Sequence, residues 1–299
     1  MSDLLYANKN KIGVTYGGRS YTYKDVKDAL SVGIVFLPVV NPDGVNYDQT
    51  TNTCWRKNRN PADVVAGNPN TYGVDLNRNF DFLWDFPKKF HPSIAAASTN
   101  PASQAYRGRS AFSEPETKNV KWVMDTFQRV RWYLDIHSYT GTVLYGWGSD
   151  ENQSRDKDQN FANPKYDGKR GPVPDLPDAK YGEYVSNQDW IDRLFVGTRA
   201  ANAADSATGR HYEVQQAVYL YPTSGASDDY ASSREKASGG KLNKVYGYTI
   251  EFGFGNEAAS CAFYPTAEQY KLNMLETNSA FFEFLLAAKE TGLGGSAGC

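Results

Sequence analysis

The chain has 299 residues, and its 32 lysines and arginines nearly balance 34 aspartates and glutamates, which gives a net charge of −2. This length supports one large α/β domain or two small ones with a sizeable core. The balanced charge offers no electrostatic case for binding nucleic acid or an anionic membrane, so a small-molecule or peptide ligand is favoured. No stretch approaches the length of a membrane span, and the N-terminus lacks an apolar run of signal-peptide length.

The first part of the chain predicts two helices and one buried strand. Residues 2–9 resemble the end of a helix, and residues 23–30 form a short helix after polar capping residues. Residues 32–40 are a continuous apolar run, which is typical of a strand buried on both faces. Turn-forming residues 41–44 close this run. Residues 45–111 show little periodicity, and a compact domain holds so long an irregular stretch mainly where it builds a site.

The rest of the chain alternates helices and strands. Ser113, followed by Glu116, predicts a capping box for a helix that ends near Arg129. Thr266 and Gln269 predict a second capping box for the C-terminal helix. Further elements are predicted from their periodicity: strands at 131–139, 142–147 and 245–252, a helix at 187–204, and a long polar surface loop at 149–186. This alternation predicts an α/β fold around a mixed sheet, and no repeat or linker divides the chain, so we expect a single domain over 1–299.

Three cysteines make an odd count with no C-x-x-C motif: Cys54, Cys261 and Cys299. This argues against a cysteine zinc site and against a dense disulfide framework. One bridge, for example between Cys54 and Cys261, is compatible with the sequence, but spacing alone does not establish it.

His137 is the leading candidate for chemistry. The chain has three histidines, His91, His137 and His211, and only His137 lies at the end of a predicted strand. Ligands of open α/β sheets bind outside the carboxyl ends of the strands. The alternative is a histidine that is hydrogen-bonded within the core.

Glu251 is a carboxylate between Ile250 and Phe252 of another predicted strand. A lone buried carboxylate must be paired, protonated or functional. Apolar surroundings would raise its pKa, which suits a general base near neutral pH. Two alternatives remain open, namely that the side chain points to solvent or that it pairs with an arginine.

Guanidinium and amide groups are concentrated in the irregular region, at Arg56, Asn77 and Arg78. Arginine binds a carboxylate through two parallel hydrogen bonds, and a neighbouring asparagine adds directional ones. These groups could hold the free C-terminus of a peptide, or they could be structural. Tyr221 could place its phenol over a ligand or pack within its own loop.

Six segments stand in the order and approximate spacing of the zinc metallocarboxypeptidases of the carboxypeptidase A/B type, and the chain resembles that family over most of its length. The segments are Asn41–Gly44, Trp55–Lys57 with Arg59, Asp75–Phe80, Ile136–Tyr139, Tyr221 with Ser224, Gly225, Asp228 and Asp229, and Thr249–Phe252. The resemblance implies a mixed, mostly parallel sheet flanked by helices and a Zn²⁺ cofactor. It also implies hydrolysis of the C-terminal residue of peptides and proteins by an exported, monomeric protein.

The resemblance also implies a role for each candidate residue. His137 corresponds to a zinc ligand, Glu251 to the general base that activates a zinc-bound water, and Arg56 to the group that stabilises the oxyanion. Asp228 falls where members selective for C-terminal Lys or Arg carry an acid, which favours a basic or mixed preference. The remaining residues are expected to bind the substrate: Asn77, Arg78 and Tyr221 at the terminal carboxylate, and Tyr139 at the neighbouring subsite.

The sequence departs from the family because it lacks the His-x-x-Glu motif that supplies the first two zinc ligands. Residues 3–7 resemble the helix that follows this motif, so we expect an N-terminally truncated domain with an exposed sheet edge and uncovered apolar surface. Catalytic zinc uses three protein ligands, and neither His91 nor His211 lies in a ligand motif.

Three explanations of this departure stay open: an incomplete gene prediction in which Met1 is internal to a longer parent, a homologue that has lost catalysis, and a chain completed by another polypeptide. The first is favoured because the other catalytic residues are in place. The alternative function is a non-catalytic module that binds peptide C-termini without zinc.

Overall fold

The structure, a computed structural model, describes residues 1–292. Within these residues eight α-helices form: α1 (Ser2–Asn10), α2 (Tyr23–Leu30), α3 (Pro42–Thr51), α4 (Phe86–Lys89), α5 (Pro115–Thr126), α6 (Asn187–Thr208), α7 (Ser227–Ala237) and α8 (Ala267–Thr291). The same part of the chain contains eight strands: β1 (Val14–Tyr16), β2 (Arg19–Tyr21), β3 (Trp132–His137), β4 (Thr142–Tyr145), β5 (Asn152–Gln153), β6 (Glu183–Tyr184), β7 (Glu213–Gln216) and β8 (Tyr246–Glu251).

The central sheet has four strands in the order β3-β8-β4-β7. Strand β3 is parallel to β8, β8 is antiparallel to β4, and β4 is parallel to β7. This arrangement confirms the predicted α/β fold with a mixed, mostly parallel sheet. The three predicted strands of this sheet are present, but each is shorter than predicted at its C-terminal end. None of the helices within residues 1–292 combines the length and apolar character needed to cross a lipid bilayer.

The two faces of the sheet are covered by different helices. Tyr248 and Ile250 of β8 pack against Val196 of α6 and Phe284 of α8. Val245, which points to the opposite face because side chains alternate along an extended chain, belongs to a second cluster with residues of α5 and α7. The C-terminal part of β8 therefore presents Thr249 and Glu251 towards the side of the sheet on which α7 lies.

Capping explains where several helices begin. Thr266 and Gln269 form the predicted capping box of α8, and Thr22 and Asp25 form one at α2. The capping box predicted at Ser113 is wrong, because Glu114 is the N-cap of α5 and makes no side-chain cap hydrogen bond. The Ser113 hydroxyl instead donates to the Glu114 carboxylate, so a buried polar network has replaced the local cap.

The strand predicted at 32–40 is also wrong. Residues 33–39 adopt neither helix nor strand, and Val35, Phe36, Leu37 and Val39 are 42–55% exposed. A strand buried on both faces needs ladder partners, and in the described part of the chain the outer strand β3 pairs only with β8. Strand β3 is therefore an edge of the sheet in the described residues, which agrees with the exposed edge expected from the sequence. Residues 41–44 begin α3 rather than a turn, with Asn41 as the N-cap.

Residues 149–186 were expected to be a surface loop, but several polar and charged residues of this segment are buried. Arg170 is fully buried and donates hydrogen bonds to the carbonyls of Tyr166 and Asn163 and to the Asp167 carboxylate. The acid Glu183 is also buried. Polar composition predicted exposure here, whereas local hydrogen bonds allow these polar groups to be enclosed.

Cys54 and Cys261 form a disulfide with a Cα–Cα distance of 5.6 Å, so the pairing left open by the sequence is present. The Tyr264 hydroxyl accepts a hydrogen bond from the Cys54 N–H and donates one to Asp48. The bridge thus attaches the loop after α3 to the loop that follows β8. Cys299 lies outside the described residues.

Candidate active site

His137 and Glu251 lie side by side at the carboxyl ends of the parallel strands β3 and β8, where they are register partners. The His137 Nδ1 atom is 3.6 Å from Glu251 Oε1, and the His137 Nε2 atom is 3.1 Å from Asp135 Oδ2. Both ring nitrogens therefore face a carboxylate. Glu251 is 9% exposed, and its neighbour His137 gives it polar rather than purely apolar surroundings.

The charges in this cluster shift each other's protonation. Burial alone would lower the pKa of His137, but the nearby carboxylates of Asp135 and Glu251 raise that pKa well above its usual value. Burial alone would raise the pKa of Asp135, and the nearby His137 and Ser227 hold it below the usual value. The cluster therefore stabilises an imidazolium between two carboxylates.

A short 3-10 helix, Leu76–Arg78, carries the predicted carboxylate-binding residues. It begins at Asp75, whose Oδ1 accepts the Asn77 N–H and whose Oδ2 accepts Arg56 Nε at 3.1 Å. Burial would raise the pKa of Asp75, but the guanidiniums of Arg56 and Arg78 hold it below its usual value. The ionised Asp75 carboxylate therefore fixes Arg56 beside this helix.

The loop before α7 docks directly on that 3-10 helix. Gly225 has φ of +68°, and a Cβ at this position would lie 2.4 Å from the Arg78 carbonyl oxygen, so glycine is required by both its conformation and its contact. Tyr221, earlier in this loop, is 47% exposed and lies with its ring centroid 5.7 Å from the Arg78 guanidinium carbon. At the end of the loop, the Ser227 N–H donates to Asn77 Oδ1 at 2.8 Å.

Helix α7 approaches the sheet at Gly247, where an added Cβ would lie 2.1 Å from the Asp228 carbonyl oxygen. This close contact places Asp228, which is 3% exposed, beside the pocket. Burial raises the pKa of Asp228, and the charge of Asp135 adds to this effect. The ionised form of a buried acid in this position is stabilised by a cationic partner.

Seven of the eight residues predicted for the site line one pocket: Arg56, Asn77, Arg78, His137, Tyr221, Asp228 and Glu251. The exception is Tyr139, which does not line this pocket and packs edge-to-face on Phe263 with a centroid distance of 4.7 Å. Smaller side chains complete the walls of the pocket, including Leu144, Ala217, Thr223 and Thr249.

Two polar residues of this site, Asp135 and Ser227, were not predicted from the sequence. Asp135 precedes His137 by two positions in a strand, so the period-two pattern could have placed both side chains on one face. Ser227 contacts both Asn77 and Asp135, and these contacts join distant segments. No local pattern indicates Ser227, because its partners come together only in the tertiary structure.

The described donor groups do not match a catalytic zinc site, which uses three protein ligands. Within residues 1–292, no group of three or more His, Cys, Asp or Glu side chains is arranged to hold a metal ion. His91 Nδ1 hydrogen-bonds Ser93, and His211 Nδ1 hydrogen-bonds Asp205. His137 is thus the histidine that the described structure contributes to the pocket.

These features define an α/β protein with a charged pocket at the carboxyl ends of two parallel strands. The sequence pattern of the zinc carboxypeptidase family matches residues 12–280, and the chain belongs to this family.

Individual relatives agree with this assignment. Carboxypeptidase B of Astacus astacus is 31% identical over 234 residues, which cover 78% of this chain and 60% of that protein. Carboxypeptidase B of Bos taurus is 43% identical over 115 residues, covering 38% of this chain and 25% of that protein. The crystal structure of carboxypeptidase A from Helicoverpa armigera superposes with a TM-score of 0.60 at 27% identity, over 86% of this chain and 51% of that one. The chain therefore spans at most 60% of the length of these relatives.

Proposed function

We propose that this protein is a carboxypeptidase that binds the free C-terminus of a peptide and removes its last residue, with a preference for Lys or Arg. The observation that carries the proposal is the convergence of seven predicted residues, from separate segments of the chain, on one pocket. The pocket offers donors for a carboxylate, an acid for a cationic side chain, and a carboxylate able to accept a proton.

The terminal carboxylate of the peptide is assigned to Asn77, Arg78 and Tyr221. Asn77 Oδ1 accepts the Ser227 N–H, which leaves its Nδ2 donors for a ligand. Arg78 donates through one Nη to the Asn77 carbonyl, and its buried Nε has no hydrogen-bond partner in the part of the chain that the structure describes. A buried donor of this kind is satisfied by an anionic ligand.

The last side chain of the peptide is assigned to the region of Asp228. A Lys or Arg side chain entering the pocket would bring a positive charge to a buried acid whose pKa is raised by burial. The ionised form of Asp228 would then be stabilised by a charge-assisted hydrogen bond. An apolar side chain would leave the acid without a partner.

Glu251 is assigned as the general base. Its carboxylate takes a proton from the water that attacks the scissile carbonyl, and the proton passes to the leaving amine, so the products are the shortened peptide and a free amino acid. Arg56, held by Asp75, faces the pocket and stabilises the negative charge that develops on the carbonyl oxygen. The described residues do not account for the family's Zn²⁺, and no step is assigned to it.

The carboxylate clamp is tested by titrating the protein with a peptide that ends in arginine and with its C-terminal amide, using calorimetry. The free carboxylate is expected to bind and the amide to bind at least about tenfold more weakly. Arg78→Lys should weaken binding of the carboxylate form about tenfold, because lysine lacks the planar pair of donors. Arg107→Lys is the matched control, since Arg107 stacks on Trp84 away from the pocket. Equal weakening of both peptides by Arg78→Lys would contradict the clamp.

The preference for basic residues is tested with Asp228→Asn. We expect this variant to lose roughly 10- to 100-fold in affinity for peptides ending in Arg or Lys, because a charged hydrogen bond contributes about 1.5–3 kcal/mol. Affinity for a peptide ending in leucine should change little. An equal loss for both peptides would contradict the assignment of Asp228.

A second candidate function is peptide binding without catalysis. It is favoured by the position of His137, whose two ring nitrogens already face Asp135 and Glu251. Release of arginine from a peptide in the presence of added Zn²⁺ separates the two functions. Turnover that disappears in Glu251→Gln, with peptide binding retained, supports the enzyme. Peptide binding with no turnover supports the binding module.

We also propose that the protein is an exported monomer, as the family resemblance implies. The Cys54–Cys261 disulfide supports export, because such bridges persist in oxidising compartments. A free thiol count on protein purified from its natural source tests this assignment, and reduced Cys54 and Cys261 would contradict it.

A further inference from the structure

Ser227, the first residue of α7, forms hydrogen bonds that connect Asn77 to Asp135. Its N–H donates to Asn77 Oδ1 at 2.8 Å, and its hydroxyl donates to Asp135 Oδ2 at 2.5 Å. The same Asp135 oxygen lies 3.1 Å from His137 Nε2. Ser227 is 2% exposed, so water does not compete freely for these contacts.

The chemistry of each group fixes the direction of these bonds. A backbone N–H can only donate, so Asn77 must turn its oxygen towards Ser227 and its amide nitrogen away from it. An ionised carboxylate only accepts, so Asp135 must receive hydrogens from both the Ser227 hydroxyl and His137 Nε2. The His137 ring is then oriented with Nδ1 towards Glu251 and the pocket.

We infer that Ser227 is a positioning residue that orients Asn77 through its backbone and the Asp135–His137 pair through its side chain. This inference rests on the proposed function for the roles of Asn77 and His137, but the hydrogen bonds that carry it belong to the chain itself. Carboxylates that hold the outer nitrogen of a functional histidine commonly fix the orientation of its ring. Here Ser227 holds that carboxylate in turn.

The two contacts of Ser227 can be separated by mutation. Ser227→Ala removes the hydroxyl but retains the N–H that orients Asn77. Without the hydroxyl, the Asp135 carboxylate, whose side chain is 22% exposed, loses its contact with Ser227 and is held less firmly beside His137. The variant should therefore disturb the orientation of the His137 ring.

The chain provides a matched control at Ser233. This serine lies on the same helix, is also 2% exposed, and donates its hydroxyl to the Tyr230 carbonyl. Ser233→Ala thus removes the same atom from the same helix at equal burial. It is expected to leave the His137 ring unaffected.

The test is nuclear magnetic resonance of the imidazole ring protons and nitrogens, with the His137 signals assigned by their loss in His137→Gln. In the unmodified protein, the proton on His137 Nε2 is expected at low field and in slow exchange with water. In Ser227→Ala this signal should move upfield and exchange at least about tenfold faster, because its acceptor is no longer held. Ser233→Ala should retain the signal, and Ser227→Thr, which keeps a hydroxyl, should restore it.

An unchanged Nε2 proton in Ser227→Ala would overturn the inference, and so would loss of the signal in both serine variants. If Ser227→Ala does not fold, Ser227→Cys provides the same test, since a thiol is a weaker donor than a hydroxyl, and retention of the signal would again overturn the inference. Calorimetry with an arginine-ending peptide and its amide is run in parallel. Equal binding of the two peptides by the unmodified protein would contradict the proposed function while leaving the proton measurement to decide the role of Ser227.

Discussion

Two segments of this protein, β8 and residues 33–39, have opposite environments, although the exposed segment has the more apolar composition. In β8, Tyr248 and Ile250 are at most 1% exposed, whereas Phe36 in the other segment is 55% exposed. Strand β8 has a ladder partner on each side, β3 and β4, while residues 33–39 form no strand. The difference teaches that ladder partners and covering helices, rather than apolar composition, decide which run becomes a core strand.

The same contrast applies to the candidate site. The side formed by α7 and β8 is closely packed and holds Asp228 and Glu251 among buried neighbours. The other side is the open edge of β3, where Ile136 is 40% exposed. The acid assigned to the last side chain of the peptide and the proposed general base therefore both lie on the packed side of the molecule.

The largest expected effect concerns the disulfide that links the loop after α3 to the loop after β8. The Cys54–Cys261 disulfide closes a separation of 207 residues, and the loss of that constraint in the unfolded chain corresponds to roughly 5 kcal/mol of stability. The double variant Cys54→Ser, Cys261→Ser is expected to unfold at much lower urea concentration. A loss of less than about 1 kcal/mol would show that the bridge does not constrain the unfolded chain as this estimate assumes.

The next effect tests the packing of β8 itself. Ile250→Ala should cost about 2–5 kcal/mol in the free energy of unfolding, because it leaves a cavity between the sheet and its covering helices. Ile191→Ala is the matched control, since Ile191 on α6 is 59% exposed, and it should change stability by no more than about 0.5 kcal/mol. Urea denaturation of both variants measures the difference, and equal losses of stability in the two variants would contradict this prediction.

The contrast between buried and exposed segments also concerns charged side chains, because residues 149–186 contain buried acids. Burial raises the pKa of Asp150 to about 8 and that of Glu183 to about 7. The folded protein therefore retains protons that the unfolded chain releases near pH 4, so the free energy of unfolding should fall as pH rises from about 4 to about 8 and then level off.

Denaturation at several pH values checks this prediction. Glu183→Gln should flatten the dependence of stability on pH, because glutamine does not titrate. Its amide can still accept from the Phe161 N–H and donate to the Tyr181 hydroxyl, the two groups that Glu183 contacts. Glu213→Gln, at an exposed position of β7, is the control and should leave the dependence unchanged. Stability that rises over this range in the unmodified protein would contradict the assigned burial.

The smallest effect is expected in residues 33–39. Phe36→Ser should change the free energy of unfolding by less than about 0.5 kcal/mol, because the side chain is already exposed. Urea denaturation measures this change, and Val245→Ser, at a buried residue of the sheet core, provides the contrast. A loss above about 2 kcal/mol in Phe36→Ser would show that this segment is packed in solution, as a buried apolar side chain would be.

Much of the fold was predictable because its signals are local. The capping boxes at Thr22 and Thr266 depend on residues three positions apart, and both helices begin where these boxes indicate. The strand that ends at His137 follows from period-two alternation. The capping box at Ser113 failed because Asn79 and Glu114, one of them distant in sequence, hold its hydroxyl.

The motifs in the sequence determined the family, the mixed α/β class and most residues of the pocket, because these properties depend on side chains whose order along the chain is sufficient evidence. Only the tertiary structure decided that Tyr139 packs on Phe263 outside the pocket, that residues 33–39 stay exposed, and that Ser227 joins Asn77 to Asp135. The physical reason is that each of these outcomes depends on partners from distant segments. Burial and hydrogen bonding are properties of such assembled neighbours, and local sequence does not specify which neighbours meet.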